Sequence, residues 1–287
     1  MTMAASITDA LCAWASTRRD VHAVLLLGSQ ARSDHPADEF SDVDVVLAVD
    51  DPDVFLLGSD WLGELDDVIA DVVEPTAIGG MSERRVLFRS GQDVDFSIVP
   101  VELIALLGDF SDLVEVRQLL GRGSRVLVDN LGIRDAIEAI PAPEPGRVPV
   151  SEADYRALSN GFWYQLVWAT KKWRRGELWV AMTSCEGVLS KGLVDLVRWR
   201  IQLRRPSVDV WHGNRYIEEW ADSATMADLA ATRTGYGVHE IGLSLRRLAD
   251  LFRQIEVECR EITGFAPAVD EERAWQLFER LLARPAD

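Results

Sequence analysis

Four of the chain's 11 prolines fall between residues 141 and 149, in PAPEPGRVP, and the hydrophobic pattern changes across this stretch. Pro breaks a helix or a central strand and Gly weakens both, so a segment this rich in Pro reads as a linker. Before it, short apolar or alternating runs predict strands at 21–27 (VHAVLLL), 42–49 (DVDVVLAV), 84–89 (RRVLFR) and 93–99 (DVDFSIV). The last two are joined at Ser90-Gly91-Gln92 in the manner of a hairpin, and a further short strand is predicted at 125–128. Helices are predicted at 7–18, 60–71, 101–107 and 111–120. After the linker, helical periodicity dominates, over 151–175, 178–204, 214–233, 238–263 and 270–283. The expectation is an α+β chain. Residues 1–140 form a mixed sheet with flanking helices, and residues 150–287 form an all-helical domain.

The chemistry concentrates in the first part. The strand at 21–27 stops at Gly28-Ser29, and Asp42 and Asp44 open the next strand. Residues i and i+2 of a strand share a face, so the two carboxylates are presented side by side. A third, Asp95, lies between apolar neighbours in a later strand. Strand interiors disfavour aspartate, and burying one without a partner is costly, so three such placements point to a use. Hard oxygen donors suit Mg²⁺, and paired ions can clamp the attacking and leaving oxygens of an in-line phosphoryl displacement. Asp42 and Asp44 suit bridging positions, while Asp95 suits either a metal shell or acceptance of a hydroxyl proton. Gly28 lets the backbone approach a phosphate, and Ser29 adds a hydroxyl donor. Taken singly, a Gly-Ser turn carries almost no information, and an Asp-x-Asp pair in an acidic chain is most often a solvated strand edge.

Composition narrows the partners. The 287-residue chain is 48% hydrophobic and 27% charged, which suffices for packed cores in two modest domains. Its net charge of −17 opposes a general nucleic-acid footprint, and it either favours a cationic small molecule or only keeps the protein soluble. Cys12, Cys185 and Cys259 lie far apart with no CxxC pair, so reduced thiols are expected rather than a zinc site or disulfide framework. With no apolar stretch of about 18 residues and no signal-peptide pattern at the start, a soluble, cytoplasmic protein with no membrane partner is expected.

GSQARSDHPADEFSDVDVVLAV at 28–49 resembles the signature of the polymerase-β-like nucleotidyltransferase superfamily. Asp60-Trp61-Leu62, RRVLFRSGQDVDFSIVPVE at 84–102 and FWYQLVWATKKWRRGELWVA at 162–181 are similar to the aminoglycoside 6-adenylyltransferases, the streptomycin adenylyltransferase family. The likeness is closest over 28–100 and diffuse beyond residue 205. It implies a nucleotidyltransferase domain at 1–140 and a helical substrate-binding domain at 150–287, with the active site between them. It further implies ATP-dependent transfer of AMP to an aminoglycoside hydroxyl, with Mg²⁺ as cofactor and pyrophosphate released, which confers antibiotic resistance. Gly28, Ser29, Asp42, Asp44 and Asp95 match the superfamily motif, while Lys171 and Glu177 match a lysine and a following glutamate of the family.

The helical half offers secondary candidates. Lys171, with Lys172, would reach a triphosphate, or would merely complement a helix C-terminus. Glu177 would be an acceptor-binding group or an alternative base to Asp95. Trp163, Trp168, Trp173 and Trp179 would hold a cationic acceptor, or build core. Glu177, Glu186, Asp195, Glu218 and Glu219 are candidate partners for its ammonium or guanidinium groups. Arg84 and Arg85 would contact nucleotide or guard a strand edge. Two other functions stay open: a nucleotidyltransferase acting on another small-molecule or protein hydroxyl, and a nucleotide-binding module without turnover.

Overall fold

The computed structural model describes residues 6–76, 81–105, 114–142, 150–210 and 212–283. It falls into two compact units, Met1–Glu144 and Pro145–Asp287. Of the predicted linker, residues 143–149 lie outside the described residues, as do 106–107 and 111–113 of the predicted helices.

The first unit is a six-stranded mixed sheet. Its strands are β1 (Val21–Leu27), β2 (Val43–Val49), β3 (Val68–Pro75), β4 (Ser82–Phe88), β5 (Asp93–Pro100) and β6 (Ser124–Asp129), in the order β3-β4-β5-β2-β1-β6. Only β2 and β5 run parallel; the other pairs are antiparallel. The helices are α1 (Ile7–Thr17), α2 (Pro52–Leu57), α3 (Val101–Ala105), α4 (Val114–Gly121) and α5 (Arg134–Glu138). Central strands covered on both faces need apolar side chains at nearly every position, which is why β1 reads VHAVLLL. On one face Val24, Val43, Val45, Leu47, Val94, Phe96 and Ile98 pack beneath α1, α2 and the Trp61 turn. On the other, Ala23, Leu25, Ala48, Val99 and Val126 pack with Ile104, Leu120 and Ile137 of α3, α4 and α5.

The predicted helix at 60–71 is not formed. Asp60–Glu64 is a short 3₁₀ turn, and Val68–Pro75 is the edge strand β3. Leu62, Leu65, Val68, Ile69 and Val72 do recur at helical spacing. However, Val68, Ile69, Val72 and Val73 are β-branched and favour extended backbone. Pairing with β4 then decides the matter: the buried Arg84 ion-pairs with Asp71 across the two strands and also donates to the Leu56 carbonyl.

The second unit is helical: α6 (Glu152–Arg174), α7 (Leu178–Ser184), α8 (Ser190–Arg204), α9 (Ile217–Trp220), α10 (Ser223–Ala231), α11 (Val238–Thr263) and α12 (Glu271–Ala283). A π-helical turn, Cys185–Leu189, joins α7 to α8 without a break, so 178–204 is one continuous helical run. The predicted helix at 214–233 is broken instead. Asn214 and Tyr216 have positive φ, and the Asp222 carboxylate accepts from the Thr225 N–H at 2.7 Å, starting a new helix. Leu166, Leu193, Val197, Leu245, Leu248 and Phe252 are among the side chains of its core, where the Phe162 and Phe252 rings stack at 3.6 Å. No helix among the described residues is long and apolar enough to cross a membrane. None of the cysteines forms a disulfide; burial pushes the thiols of Cys185 and Cys259 up to about 11 and about 12.

Candidate active site

Register places the carboxylates. In the parallel β2–β5 pair, Asp44 lies directly beside Asp95. Their neighbours Val43, Val45, Val94 and Phe96 all enter the same core, so strand alternation turns both aspartates to the opposite face. Asp42 sits one residue ahead of β2 rather than inside it. Even so, oxygens of Asp42, Asp44 and Asp95 lie within 4.8 Å of one another, and all three residues are half-buried. Like charges this close repel strongly unless a cation lies among them. The donor set is wholly hard oxygen, which fits a divalent cation such as Mg²⁺.

The Gly-Ser turn closes over this cluster. Gly28 has φ +61°, in the left-handed region, and a Cβ there would collide with Oδ2 of Asp44. Gly28–Gln30 form a 3₁₀ turn at the end of β1. The Ser29 Oγ is buried and has no hydrogen-bond partner among the described residues, an orphan hydroxyl on the residue after the glycine that meets Asp44. Gly28→Ala therefore carries two penalties: a left-handed alanine, about 1–2 kcal/mol, and displacement of the Asp44 carboxylate. We expect it to lower the unfolding midpoint in urea modestly and to weaken Mn²⁺ binding, measured by titration calorimetry, much more than the stability loss alone implies.

Strand β4 supplies the other charges. Alternation sends Arg84 into the core and Arg85 to the face of the aspartates. Arg85 lies opposite Asp95 in the β4–β5 register, with Nε and Nη2 donating to Asp95 Oδ2 at 3.0 and 2.7 Å. Its Nη1 donates to Glu74 Oε1 at 3.1 Å. Burial, then the charge of Asp95, raises the carboxyl of neighbouring Glu83 above its usual range. Sequence reasoning left Arg85 undecided between a nucleotide and a strand edge. The Ser90-Gly91-Gln92 loop read from sequence would set Arg85 opposite Ser97; the observed register, with Leu87 against Asp93, sets it opposite Asp95 instead.

Lys171 and Glu177 belong to the second unit, near the end of α6. Lys171 is exposed. Glu177 is engaged by Lys172 at 2.9 Å and Arg175 at 2.8 Å. Lys172, then Arg175, holds its carboxyl below the usual range, which makes it a weaker base. Of the tryptophans, Trp163 and Trp173 are core, their ring N–H groups donating to Glu256 Oε2 and the Val238 carbonyl. Trp168 is partly buried beneath the Lys172 ammonium. Trp179 is exposed and meets the exposed Tyr236 edge-on at 6.1 Å. Among the acidic candidates, Glu186 anchors Arg233 and the Thr234 N–H, while Asp195 pairs with Lys191 and Arg198. Glu218 and Glu219 are exposed in the first turn of α9.

A carboxylate triad under a Gly-Ser turn on a mixed sheet is the arrangement that the resemblance to polymerase-β-like nucleotidyltransferases implies. The chain belongs to the streptomycin adenylyltransferase family, whose family model matches residues 1–280. It is 21% identical over 265 residues to an aminoglycoside 6-adenylyltransferase of Campylobacter jejuni, covering 88% of each chain. Among solved structures it is similar to an aminoglycoside 6-adenyltransferase from Bacillus subtilis, at 15% identity and TM-score 0.48, covering 98% of this chain and 100% of that one. A nucleotidyltransferase-like protein from Exiguobacterium sibiricum matches at 13% identity and TM-score 0.33, covering 90% of this chain and 77% of that one.

Proposed function

We propose that this protein transfers AMP from ATP to a hydroxyl of a streptomycin-like aminoglycoside, releasing pyrophosphate. The observation that carries the reading is the convergence of Asp42, Asp44 and Asp95 within 4.8 Å, in a chain of this family. These three residues would hold Mg²⁺, which when bound neutralises phosphate charge and polarises the α-phosphorus for in-line attack.

The protein's own groups supply the rest. Backbone N–H groups of the Gly28–Gln30 turn and the orphan Ser29 hydroxyl bind phosphate oxygens. Asp95, held by Arg85 and counted in the metal triad, serves the metal in this reading, and Glu177 is committed to Lys172 and Arg175, so neither carboxylate is assigned as the base. Residues 1–140 carry the nucleotide chemistry in this reading, and residues 150–287 bind the acceptor. Lys171 contributes positive charge to the triphosphate. The exposed Trp179–Tyr236 pair suits a guanidinium-bearing acceptor by cation–π contact, worth about 0.5–2 kcal/mol, and the net charge of −17 favours its approach.

Purified protein with ATP and Mg²⁺ should release pyrophosphate when streptomycin is added and not in its absence, with the acceptor gaining one adenylyl group by mass spectrometry. Mg-ATP binding without pyrophosphate release, across a broad panel of aminoglycosides, would sink the proposal.

A further inference from the structure

We propose that Arg85 is a positioning residue for Asp95, committing one carboxylate oxygen to itself so that the other is presented to Asp42 and Asp44. The inference rests on the metal reading of the triad and extends it to a residue outside it.

Both guanidinium donors, Nε at 3.0 Å and Nη2 at 2.7 Å, go to the same oxygen, Oδ2. Charge-assisted bonds of this kind are about twice as strong as neutral ones, and two on one atom leave the carboxylate little rotational freedom. The Asp95 side chain is only 13% exposed, so it needs a partner, and directly opposite Arg85 supplies one. The guanidinium is itself tied from the far side by Glu74 at 3.1 Å, with Glu83 at 3.9 Å. Arg85 thus spans three strands: β3 through Glu74, β4 on which it sits, and β5 through Asp95.

A competing effect has the opposite sign. A guanidinium beside a divalent cation repels it, so deletion of Arg85 would tighten metal binding if repulsion dominated. Its side chain is 48% exposed, which screens a charge several ångströms away. The hydrogen bonds to a nearly buried carboxylate are screened far less. Orientation should therefore win.

The test is Mn²⁺ titration by calorimetry on the full chain, without nucleotide, with melting temperature followed in parallel. Partners that orient metal ligands are typically worth about 10–100-fold in metal affinity. Arg85→Ala should weaken Mn²⁺ binding by an amount in that range. Arg85→Lys should recover only part of the loss, because an ammonium cannot place two fixed donors on one oxygen. Unchanged or tighter Mn²⁺ binding in a folded Arg85→Ala protein overturns the proposal. If Arg85→Ala does not fold, Arg85→Lys decides: several-fold weaker binding supports the role, and wild-type affinity overturns it. Asp42→Asn with Asp44→Asn separates the two layers. If that pair leaves Mn²⁺ affinity intact, the metal reading itself fails and this inference falls with it. If the pair abolishes binding while Arg85→Ala does not weaken it, only the positioning role is lost.

Discussion

Asp42→Asn combined with Asp44→Asn should abolish AMP transfer while leaving the protein folded. Asparagine keeps the shape and one carbonyl oxygen but removes the charge that a hard divalent cation requires. Lewis-acid stabilisation at a transferring phosphoryl group amounts to several kcal/mol, and each 1.36 kcal/mol is tenfold in rate. A fall in kcat of at least about 10³-fold, roughly 4 kcal/mol, is the expected result. Stability should move the other way. The metal-free protein holds three carboxylates within 4.8 Å. Neutralising two of them relieves repulsion, so the apparent melting temperature without metal should be equal to or above that of the parent. Mg²⁺ binding to the folded state is expected to raise the parent's melting temperature, and that shift should vanish in the variant. Pyrophosphate release and paired melting curves with and without Mg²⁺ check both halves. Activity retained within tenfold would remove the metal assignment.

The largest effect on stability is expected far along the chain, at Glu256 of α11. This carboxylate is fully buried and accepts from Tyr155 Oη at 3.1 Å, from Ser159 Oγ, and from Trp163 Nε1 at 3.2 Å. The three donors stand at positions i, i+4 and i+8 on α6, so a single side chain clasps one face of that helix. Burial, reinforced by Glu256, pushes the Tyr155 phenol up to about 12, so it remains an O–H donor at ordinary pH. Glu256→Ala strands three buried donors, each costing about 1–3 kcal/mol when unsatisfied, and leaves a cavity. The expected loss is about 3–5 kcal/mol, from three stranded donors near the low end of their individual cost together with the cavity. Glu256→Gln retains an acceptor oxygen and should lose clearly less. Urea unfolding followed by circular dichroism measures both. Losses below about 1 kcal/mol for each would show that the clasp contributes little.

The two substitutions sit at opposite extremes of what a single chain discloses. Asp44 and Asp95 announce themselves because aspartate is out of place in apolar strands, and Asp42 stands just ahead of β2, two residues before Asp44. A period-two pattern then says which way each points without any knowledge of the partner strand. Gly28 is legible for a related reason: a glycine closing an apolar run marks backbone that other residues adopt at a cost. Glu256 carries no such mark. Within α11 it is one acidic residue among several, and its role depends on α6, 93 to 101 residues away.

Local patterning determined the apolar run of β1, the alternation of β2, β4 and β5, the hairpin at Ser90, the long helices α6 and α11, and the carboxylates available for chemistry. Each of these follows from the preferences of a few neighbouring residues. Tertiary structure decided what local preference left balanced. It made 68–75 a strand, because β4 offers a ladder and Asp71 a buried arginine. It sent Trp163 and Trp173 into the core and left Trp179 outside, a choice set by which helices pack on α6 and α7. It also gave Arg85 its partner, since the reach of a guanidinium across a sheet is fixed by register between strands and not by the residues beside it.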